Sequence, residues 1–360
     1  MKSRFGKLVL LALTGSLFLV SCSNDNDDND DQQPLGTYDN GALILNQGRF
    51  GHGEASVSYL SDDFATQQNN IYALVNPTLT LGDTGQDIGF INDLAFIVLN
   101  FSNKIEVVNR YTMAHVATIS TGLSNPRYIA FSNGKGFVTN WGDGGSTTDD
   151  YIAVLNLSTY VVTATIPVAE GPERIIEHDN KLYVAHAGGY GYGNTVSVIN
   201  AVNNTLATSI TVGDVPNSLE IQGNSLYVIC GGNPSWAPTE TAGKFVKINL
   251  NDNTVATTLT FPAATHPSNL DVVDNTFYYT IDSDIFKSTL TATALPVDEF
   301  FTTTDQGVYG VYSLAVHNGK FYVGDAGDYN SNGKIHIYSS TGTLEHTYTV
   351  GIIPAGFYFN

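Results

Sequence analysis

The chain has 360 residues, and its 15 Lys and Arg against 34 Asp and Glu give a formal net charge of −19 at pH 7. A protein this acidic lacks the basic surface that binding to nucleic acid or to anionic lipid headgroups requires. Its 42% of apolar residues exclude bulk disorder, and its two Cys exclude a scaffold of several disulfides. Scarce helical runs and abundant Thr, Val, Tyr and Gly favour an all-β protein.

Residues 1–21 have the pattern of a secretory signal peptide. Three basic side chains precede an apolar run at residues 8–20, which is too short for a comfortable membrane span. The run ends in Leu19-Val20-Ser21-Cys22, which resembles the lipobox of bacterial lipoproteins. That resemblance implies cleavage before Cys22 and lipidation of this residue. An ordinary signal peptide and an uncleaved anchor are the alternatives.

A short acidic segment follows at residues 22–35. Five Asp lie between residues 25 and 31, and because like charges repel one another we expect a solvated tether here. An acidic run directly after a lipidated Cys also resembles the export signal of Bacteroidetes lipoproteins that reach the outer face of the outer membrane. This resemblance implies a cell-surface protein whose only contact with the membrane is its lipid anchor.

From residue 36 onward the sequence repeats with a spacing of 41 to 51 residues. Each copy opens with a short entry motif, which is Pro-x-x-aliphatic in its clearest form. The seven copies open at Gly85, Pro126, Pro172, Pro216, Pro267, Val311 and Pro354. Eleven residues after the first six openings stand the aromatic residues Phe96, Phe137, Tyr183, Tyr227, Tyr278 and Tyr322. Four short strand patterns per copy at this spacing are typical of β-propeller blades.

The two ends of the repeat region complete each other. The last copy, at Pro354, has room for one strand, whereas the strand patterns at residues 42–45, 55–60 and 67–74 lack an inner strand. We therefore predict that the C-terminal strand joins these three, which leaves no open sheet edge. The sequence thus predicts one domain at residues 36–360, an all-β seven-bladed β-propeller of four-stranded antiparallel blades. Six or eight blades are the alternatives.

The entry motifs and the recurring Leu/Phe-Tyr-Val strands resemble the YncE-like and surface-layer-type seven-bladed propellers of bacteria. The segment at residues 42–50, followed by Ala55-Ser56-Val57-Ser58-Tyr59, looks like the opening of Bacteroidetes surface lipoproteins that capture cobalamin beside a TonB-dependent outer-membrane transporter. That resemblance implies a protein that binds a corrinoid and passes it to such a transporter. We expect no cofactor, because the sequence shows no cluster of residues that would hold one. A siderophore, haem or glycan ligand remains open, as does an adhesion or protein-interaction scaffold.

A ligand site is predicted on one face of the propeller. In such blades the loops between second and third strands share a face with the connections into each entry motif. Both groups of segments are rich in Gly, aromatic and hydrogen-bonding residues, which suit recognition of a large polar solute. The predicted ligand-binding residues are Arg49, Phe50, Gln86, Asp87, Arg127, Trp141, Glu173, Arg174, Tyr190, Tyr192, Asn217, Trp236, Ser268, Asn269 and Tyr312. Alternatively, these loops only cover the end of the propeller.

No strong catalytic motif is present, so the sequence predicts a binding protein rather than an enzyme. The rival, a quinoprotein-like dehydrogenase or lyase, would require a metal or cofactor cluster. His52, His186 and His266 could converge on a metal, although such residues more often only form hydrogen bonds. Asp328-x-Asn330-x-Asn332-Gly333 has the spacing of the first half of a calcium loop, but Ser339 replaces the bidentate carboxylate. An ordinary Asn-Gly turn is therefore favoured there.

Two further features leave alternatives open. Cys230 ends a strand among Gly residues without an adjacent basic residue, which favours a buried thiol over a nucleophile. Arg127 and Arg174 lie near the predicted channel mouth, where they could clamp an anion. Salt bridges to Glu173 or Asp87 would instead neutralise them.

Overall fold

Successive side chains of a strand point to opposite faces of its sheet, so an apolar strand buries its two faces against two different neighbouring blades. In the strand Gly41–Asn46, Leu43 and Leu45 pack against the blade that follows in sequence, whereas Ala42 and Ile44 pack against the last blade. The computed structural model describes residues 34–360, which form one compact unit. The predictions for residues 1–21, for Cys22 and for most of the acidic tether lie outside the described residues.

The described residues form seven antiparallel sheets of four strands each, as predicted. Blade 1 begins with β1 (Gly41–Asn46), β2 (Ser56–Ser61) and β3 (Gln67–Gln68). Blade 2 consists of β4 (Gly85–Ile91), β5 (Leu94–Leu99), β6 (Lys104–Asn109) and β7 (His115–Ile119). Blade 3 consists of β8 (Pro126–Ser132), β9 (Lys135–Asn140), β10 (Tyr151–Asn156) and β11 (Val161–Pro167). Blade 4 consists of β12 (Pro172–His178), β13 (Lys181–His186), β14 (Thr195–Asn200) and β15 (Thr205–Thr211).

The remaining blades follow the same order. Blade 5 consists of β16 (Pro216–Gln222), β17 (Ser225–Cys230), β18 (Lys244–Asn249) and β19 (Thr254–Thr260). Blade 6 consists of β20 (Ser268–Val273), β21 (Thr276–Ile281), β22 (Asp284–Thr289) and β23 (Phe301–Thr302). Blade 7 consists of β24 (Ser313–His317), β25 (Lys320–Asp325), β26 (Lys334–Tyr338) and β27 (Leu344–Thr349), and the last strand is β28 (Pro354–Phe359). A single helical turn, Thr304–Gln306, precedes blade 7.

The predicted ring closure is confirmed. Strand β28 pairs antiparallel with β1, from Ala42 opposite Phe359 onward, and becomes the innermost strand of blade 1. The C-terminal residue Asn360 fastens this strand to blade 2, because its Oδ1 accepts a hydrogen bond from Arg110 Nε at 2.7 Å. The Arg110 guanidinium also lies 3.7 Å from the centre of the Phe90 ring.

Seven apolar clusters hold the blades together, one between each pair of neighbours. The aromatic residues predicted eleven positions after the entry motifs all lie in second strands, and Phe96, Phe137 and Tyr183 have no exposed surface. Truncating one such ring to Ala costs about 3–5 kcal/mol of stability in a packed core. These clusters keep the inner strands in a fixed ring around a central channel.

The entry motifs place a β-bulge at the start of the inner strands, for example between Pro126 and Ile129. In five copies the residue just before the motif has a left-handed backbone: Thr84, Asn125, Gly171, Val215 and Ile353. Each of their carbonyls accepts a hydrogen bond from the residue that follows the second strand of the same blade, as Trp141 N does to Asn125 O at 3.2 Å. The bulge interrupts the alternation of side chains along the strand. As a result, the two residues that follow the first residue of the entry motif can both face the channel.

One predicted strand is wrong over most of its length. Residues 67–74 were expected to form the outer strand of blade 1, but β3 ends at Gln68 and a helix, α1 (Ile71–Val75), follows it. The helix buries Ile71 and Tyr72. The Asn76 side chain that follows forms a hydrogen bond with blade 2, because Asn76 Oδ1 accepts from His115 N at 3.0 Å. Contacts with the next blade thus override the local strand pattern. Nowhere in residues 34–360 is a helix long and apolar enough to cross a membrane.

Candidate ligand-binding site

A cavity of about 650 Å³ opens at one end of the central channel, and we call it the upper cavity. Its walls come from the first residues of the inner strands and from loops that follow the second strands, as on the predicted face. The predicted residues that line it are Phe50, Gln86, Arg127, Trp141, Arg174, Tyr190, Asn217, Ser268, Asn269 and Tyr312. The fold therefore brings together residues that lie up to 262 positions apart in sequence (Phe50 to Tyr312).

The predicted residues that do not line the upper cavity are Arg49, Asp87, Glu173, Tyr192 and Trp236. Arg49 pairs within its own loop, where Nε donates to Glu54 Oε2 at 2.7 Å. Asp87 is buried between blades, and its carboxylate accepts hydrogen bonds from Ile129 N at 3.0 Å and Tyr358 Oη at 3.1 Å. These two charged side chains are therefore occupied by protein partners.

The two outlying aromatic residues belong to loops on the predicted face but extend into solvent. Trp236 is 82% exposed, and Tyr192 is 41% exposed. The long loop that carries Trp236 is held from its base by His266, whose Nδ1 donates to Gly231 O at 2.8 Å. The sequence located both loops, but it contains no signal for how far a long loop reaches from the channel.

Trp141 and Arg127 form a rigid wall of the upper cavity. The Arg127 guanidinium lies 4.1 Å from the centre of the Trp141 ring, and Tyr190 meets the same indole edge to face at 6.0 Å. Arg127 is also neutralised, because Nη2 lies 2.9 Å from Glu173 Oε1 and Nε donates to the same carboxylate. Of the two alternatives open for Arg127, the structure shows the salt bridge.

Arg174 is different, because within residues 34–360 it has neither an ion-pair partner nor a hydrogen-bond acceptor. Its guanidinium stacks on the Tyr128 ring at 4.4 Å, and Gln86 Nε2 donates to the Tyr128 hydroxyl at 2.9 Å. The side chain is exposed to the channel, although its position among the inner strands removes part of its bulk water. The neighbouring Tyr128 hydroxyl and Asp87 carboxylate nevertheless raise the pKa of Arg174 above its ordinary value. The floor of the upper cavity is therefore a permanently charged cation that extends into the channel.

The opposite wall is made of amides and hydroxyls that bond to each other and to backbone carbonyls. Asn217 Nδ2 donates to Pro267 O at 2.9 Å, and Ser218 Oγ donates to Asn217 Oδ1 at 2.9 Å. Asn269 Nδ2 donates to Val311 O at 3.1 Å. This wall is polar and uncharged, and its orientation is set by these bonds.

A smaller space of about 190 Å³, the lower chamber, lies further along the channel and is lined by Glu220, Asp271 and Tyr358. Arg174 borders both spaces. Burial and the nearby Asp271 carboxylate raise the pKa of Glu220 to about 8, and burial raises the pKa of Asp271 to about 6. Glu220 is therefore mostly protonated at neutral pH.

Glu220 and Asp271 carry no motif that singled them out in the sequence. Each lies two residues beyond a residue that lines the upper cavity, Ser218 and Asn269, on the same inner strand. Because side chains two apart on a strand share a face, extending the alternation from the entry motif would have placed both carboxylates in the channel.

Of the three His residues considered as metal ligands, His186 and His266 bond protein groups, and His52 lies exposed in a turn. His186 is buried, Nδ1 donates to Ala169 O at 2.9 Å, and Nε2 accepts from Ser197 Oγ at 2.8 Å. Burial lowers the pKa of His186 to about 4, so it is neutral and structural. Across residues 34–360, no group of three or more His, Cys, Asp or Glu side chains is arranged to hold a metal ion.

Two other sequence features also resolve into structural roles. Cys230 is fully buried, and burial raises the pKa of its thiol to about 12, so it is a thiol of the core. The Asp328 carboxylate accepts hydrogen bonds from Asn330 N at 2.9 Å and Ser331 N at 2.7 Å, which is the arrangement of a turn.

Solved structures match the chain at low sequence identity. A quinonprotein alcohol dehydrogenase-like protein from Bacteroides thetaiotaomicron VPI-5482 matches with a TM-score of 0.66 and 16% identity, over 89% of this chain and 78% of that chain. A functionally unknown protein from Desulfotomaculum acetoxidans DSM 771 gives 0.62 and 14%, over 89% and 98%. Hydrazine synthase from Kuenenia stuttgartiensis gives 0.58 and 15%, over 73% and 85%. At these identities the likeness shows the fold alone.

Among curated protein sequences, none matches this chain. The family model described as a domain of unknown function (DUF5074) matches residues 40–359, which include all seven blades. The chain therefore belongs to the DUF5074 family and is a seven-bladed β-propeller.

Proposed function

We propose that this protein is a binding lipoprotein of the outer-membrane surface that captures a nutrient solute in the upper cavity and passes it to a TonB-dependent transporter. The observation that carries the proposal is the composition of this cavity. Its volume of about 650 Å³ is bounded by aromatic rings on one side, by amides and hydroxyls on the other and by one unpaired guanidinium. Such a mixture suits a large amphipathic solute rather than a small ion.

The ligand class that we propose is a corrinoid, with cobalamin as the first candidate. A corrinoid has a broad, largely apolar ring edge with many amide side chains. Aromatic faces such as Trp141 and Phe50 would cover the apolar surface, and the amides of Asn217 and Gln86 would exchange hydrogen bonds with the ligand's amides. The resemblance of residues 42–50 to cobalamin-capturing surface lipoproteins supports the same choice.

A binding role rather than catalysis is also part of the proposal. The lining of the upper cavity contains no His, the side chain that most often acts as a general base, and its Ser218 and Ser268 hydroxyls bond neighbouring side chains. Its amides and hydroxyls are held by hydrogen bonds to their neighbours, which favours recognition of a fixed shape. The lipobox-like sequence before Cys22 and the acidic run after it support the surface location.

The two Trp residues of the chain provide a matched test. Both follow a second strand on the same face, but Trp141 lines the upper cavity and Trp236 is exposed outside it. Full-length protein in detergent would be titrated with cyanocobalamin by calorimetry, with haem, a siderophore and a glycan as comparison ligands. We expect Trp141→Ala to weaken cyanocobalamin binding at least about tenfold, because stacking on an aromatic face is worth about 1–3 kcal/mol, and Trp236→Ala to leave it unchanged.

The outcomes separate the parts of the proposal. No binding of any corrinoid would reject the corrinoid assignment, and binding of haem, a siderophore or a glycan instead would name the ligand class. Equal effects of the two Trp substitutions would reject the upper cavity as the site. Failure to bind every small molecule would favour a protein-interaction scaffold.

A further inference from the structure

We propose that Arg174 binds an anionic group of the ligand, so that the captured solute carries a phosphate, phosphodiester or carboxylate that is directed to the floor of the upper cavity. This inference rests on the proposed function for its location and adds a requirement on the chemistry of the ligand. It follows from a contrast between two neighbouring arginines at the same channel mouth.

Arg127 and Arg174 are not equivalent. Both stack on an aromatic ring, but only Arg127 has a carboxylate partner, Glu173, at 2.9 Å. Arg174 is exposed to the channel, so water rather than a protein acceptor solvates its donors. In a chain with a net charge of −19, the fold thus holds in the upper cavity a cation that no carboxylate of residues 34–360 pairs with, and an anionic group of a ligand can bind it by displacing water.

Arg174 is held in position, and no protein group among residues 34–360 accepts a hydrogen bond from its guanidinium. The Tyr128 ring supports one face of the guanidinium, and the Tyr128 hydroxyl is itself held by Gln86 Nε2 at 2.9 Å. A guanidinium presents five N–H donors in a planar fork, which matches two oxygens of a phosphate or carboxylate. No acceptor among residues 34–360 occupies this fork, and Arg174 lines the open upper cavity, so a ligand oxygen can reach it.

The nearby carboxylates stabilise the charge of Arg174 from a distance but do not occupy its N–H donors. Seven titratable groups from the inner strands lie around Arg174 in this part of the channel. They are Asp87, Arg127, Tyr128, Glu173, Glu220, Asp271 and Tyr358. The carboxylates of Asp87 and Asp271 accept backbone N–H hydrogen bonds, and that of Glu173 is paired with Arg127. Glu220 is mostly protonated below its raised pKa of about 8.

The test compares two corrinoids that differ in one anionic group. Cyanocobalamin contains a phosphodiester, and dicyanocobinamide lacks it together with the nucleotide base. Calorimetry on the full-length protein would measure both ligands with wild type, Arg174→Gln, Arg174→Lys and the charge-matched control Lys287→Gln, which removes an exposed cation of blade 6. We expect Arg174→Gln to weaken cyanocobalamin binding at least about tenfold and dicyanocobinamide binding less than about threefold. Arg174→Lys should be intermediate, and Lys287→Gln should match wild type.

A second measurement does not depend on corrinoids. Inorganic phosphate would be titrated while the Arg Nε–H resonances are recorded by NMR, and the Arg174 signal would be identified by its loss in Arg174→Gln. We expect a saturable shift of this signal that weakens above pH 8, where ionised Glu220 competes for the guanidinium. Circular dichroism would confirm that the variants keep their β structure.

The two measurements separate this inference from the proposed function. A saturable phosphate shift without corrinoid binding would support the anion site and reject the corrinoid assignment. Corrinoid binding that Arg174→Gln leaves unchanged for both ligands, together with no saturable phosphate shift, would overturn the anion site and leave the proposed capture function in place.

Discussion

In blades 3 and 4 the two residues after the opening Pro are Arg127-Tyr128 and Glu173-Arg174, whereas in blades 5 and 6 they are Asn217-Ser218 and Ser268-Asn269. These pairs occupy equivalent positions of the repeat, at the start of neighbouring inner strands. The first region is charged and aromatic, and the second is neutral and hydrogen-bonded. A repeated backbone thus gives the channel mouth two unlike sides, which would hold an asymmetric solute in one orientation.

The two regions also differ in what their stability depends on. In blades 3 and 4 it depends on charge compensation, because Arg127 and Glu173 are both largely buried, with 16% and 12% of their side-chain surface exposed. In blades 5 and 6, side chains bond to backbone carbonyls, and each such bond is worth only about 0.5–1.5 kcal/mol. Substitutions in blades 3 and 4 should therefore lower the free energy of unfolding more than substitutions in blades 5 and 6.

Glu173→Gln should have the largest effect on folding. It leaves the Arg127 charge without its partner, so we expect the free energy of unfolding to fall by about 3 kcal/mol, the lower end for a broken buried ion pair. Urea denaturation followed by circular dichroism would measure the loss. The control is Glu345→Gln, which breaks the more exposed pair with Lys320 and should cost less than about 1 kcal/mol. Equal losses in the two variants would show that the charged side does not depend on this ion pair.

Glu220→Gln should change how stability depends on pH. The folded-state pKa of Glu220 is about 8, which is above its ordinary value of 4.5. Its bound proton therefore contributes fully to stability below about pH 4.5, and this contribution is lost as the pH rises to about 8. Gln does not ionise, so the free energy of unfolding of the variant should rise relative to wild type across this pH range. We expect a difference of about 1–2 kcal/mol at pH 9, reduced by the screening effect of water in the lower chamber.

Denaturation midpoints of wild type and Glu220→Gln at several values between pH 5 and pH 9 would measure this difference. The variant Glu345→Gln again serves as the control, because its carboxylate is on the surface. Parallel pH profiles for wild type and Glu220→Gln would contradict the protonated state of Glu220 and remove the reason for anion binding to weaken above pH 8.

Ser268→Ala should have the smallest effect of the three. It removes the contact between Ser268 Oγ and Thr280 Oγ1 at 3.0 Å, which should cost about 0.5–1 kcal/mol of stability. We expect cyanocobalamin affinity to change less than about threefold, compared with the tenfold loss for Arg174→Gln. A tenfold loss for Ser268→Ala in calorimetry would instead place the main recognition contacts on the neutral side.

Much of the fold could be predicted because its signals are local and repeated. The entry motifs, the aromatic residues of the second strands and the alternation of apolar residues each recur with one spacing. The unmatched ends of the repeat then predicted the pairing of β28 with β1. Residues 67–74 could not be predicted in this way, because packing of Tyr72 and the bond between Asn76 and His115 decide their conformation.

The composition of the site was predicted less completely than its location. The same segments that the sequence singled out line the upper cavity, but Trp236 extends away from it and Asp87 is turned into a contact between blades. The lower chamber, with Glu220, was not foreseen. Loop reach and the direction of a side chain at a β-bulge depend on neighbouring blades, and no pattern within one repeat encodes them.

The sequence by itself determined the number of blades, the closure of the ring and the face on which unusual residues gather, because these follow from period, alternation and topology. Only the tertiary structure decided that Arg127 is neutralised by Glu173 while Arg174 is not. The physical reason is that charge pairing depends on distances of a few ångströms between side chains from different blades. Those distances are set by the bulges and by the packing that holds the seven inner strands in a ring.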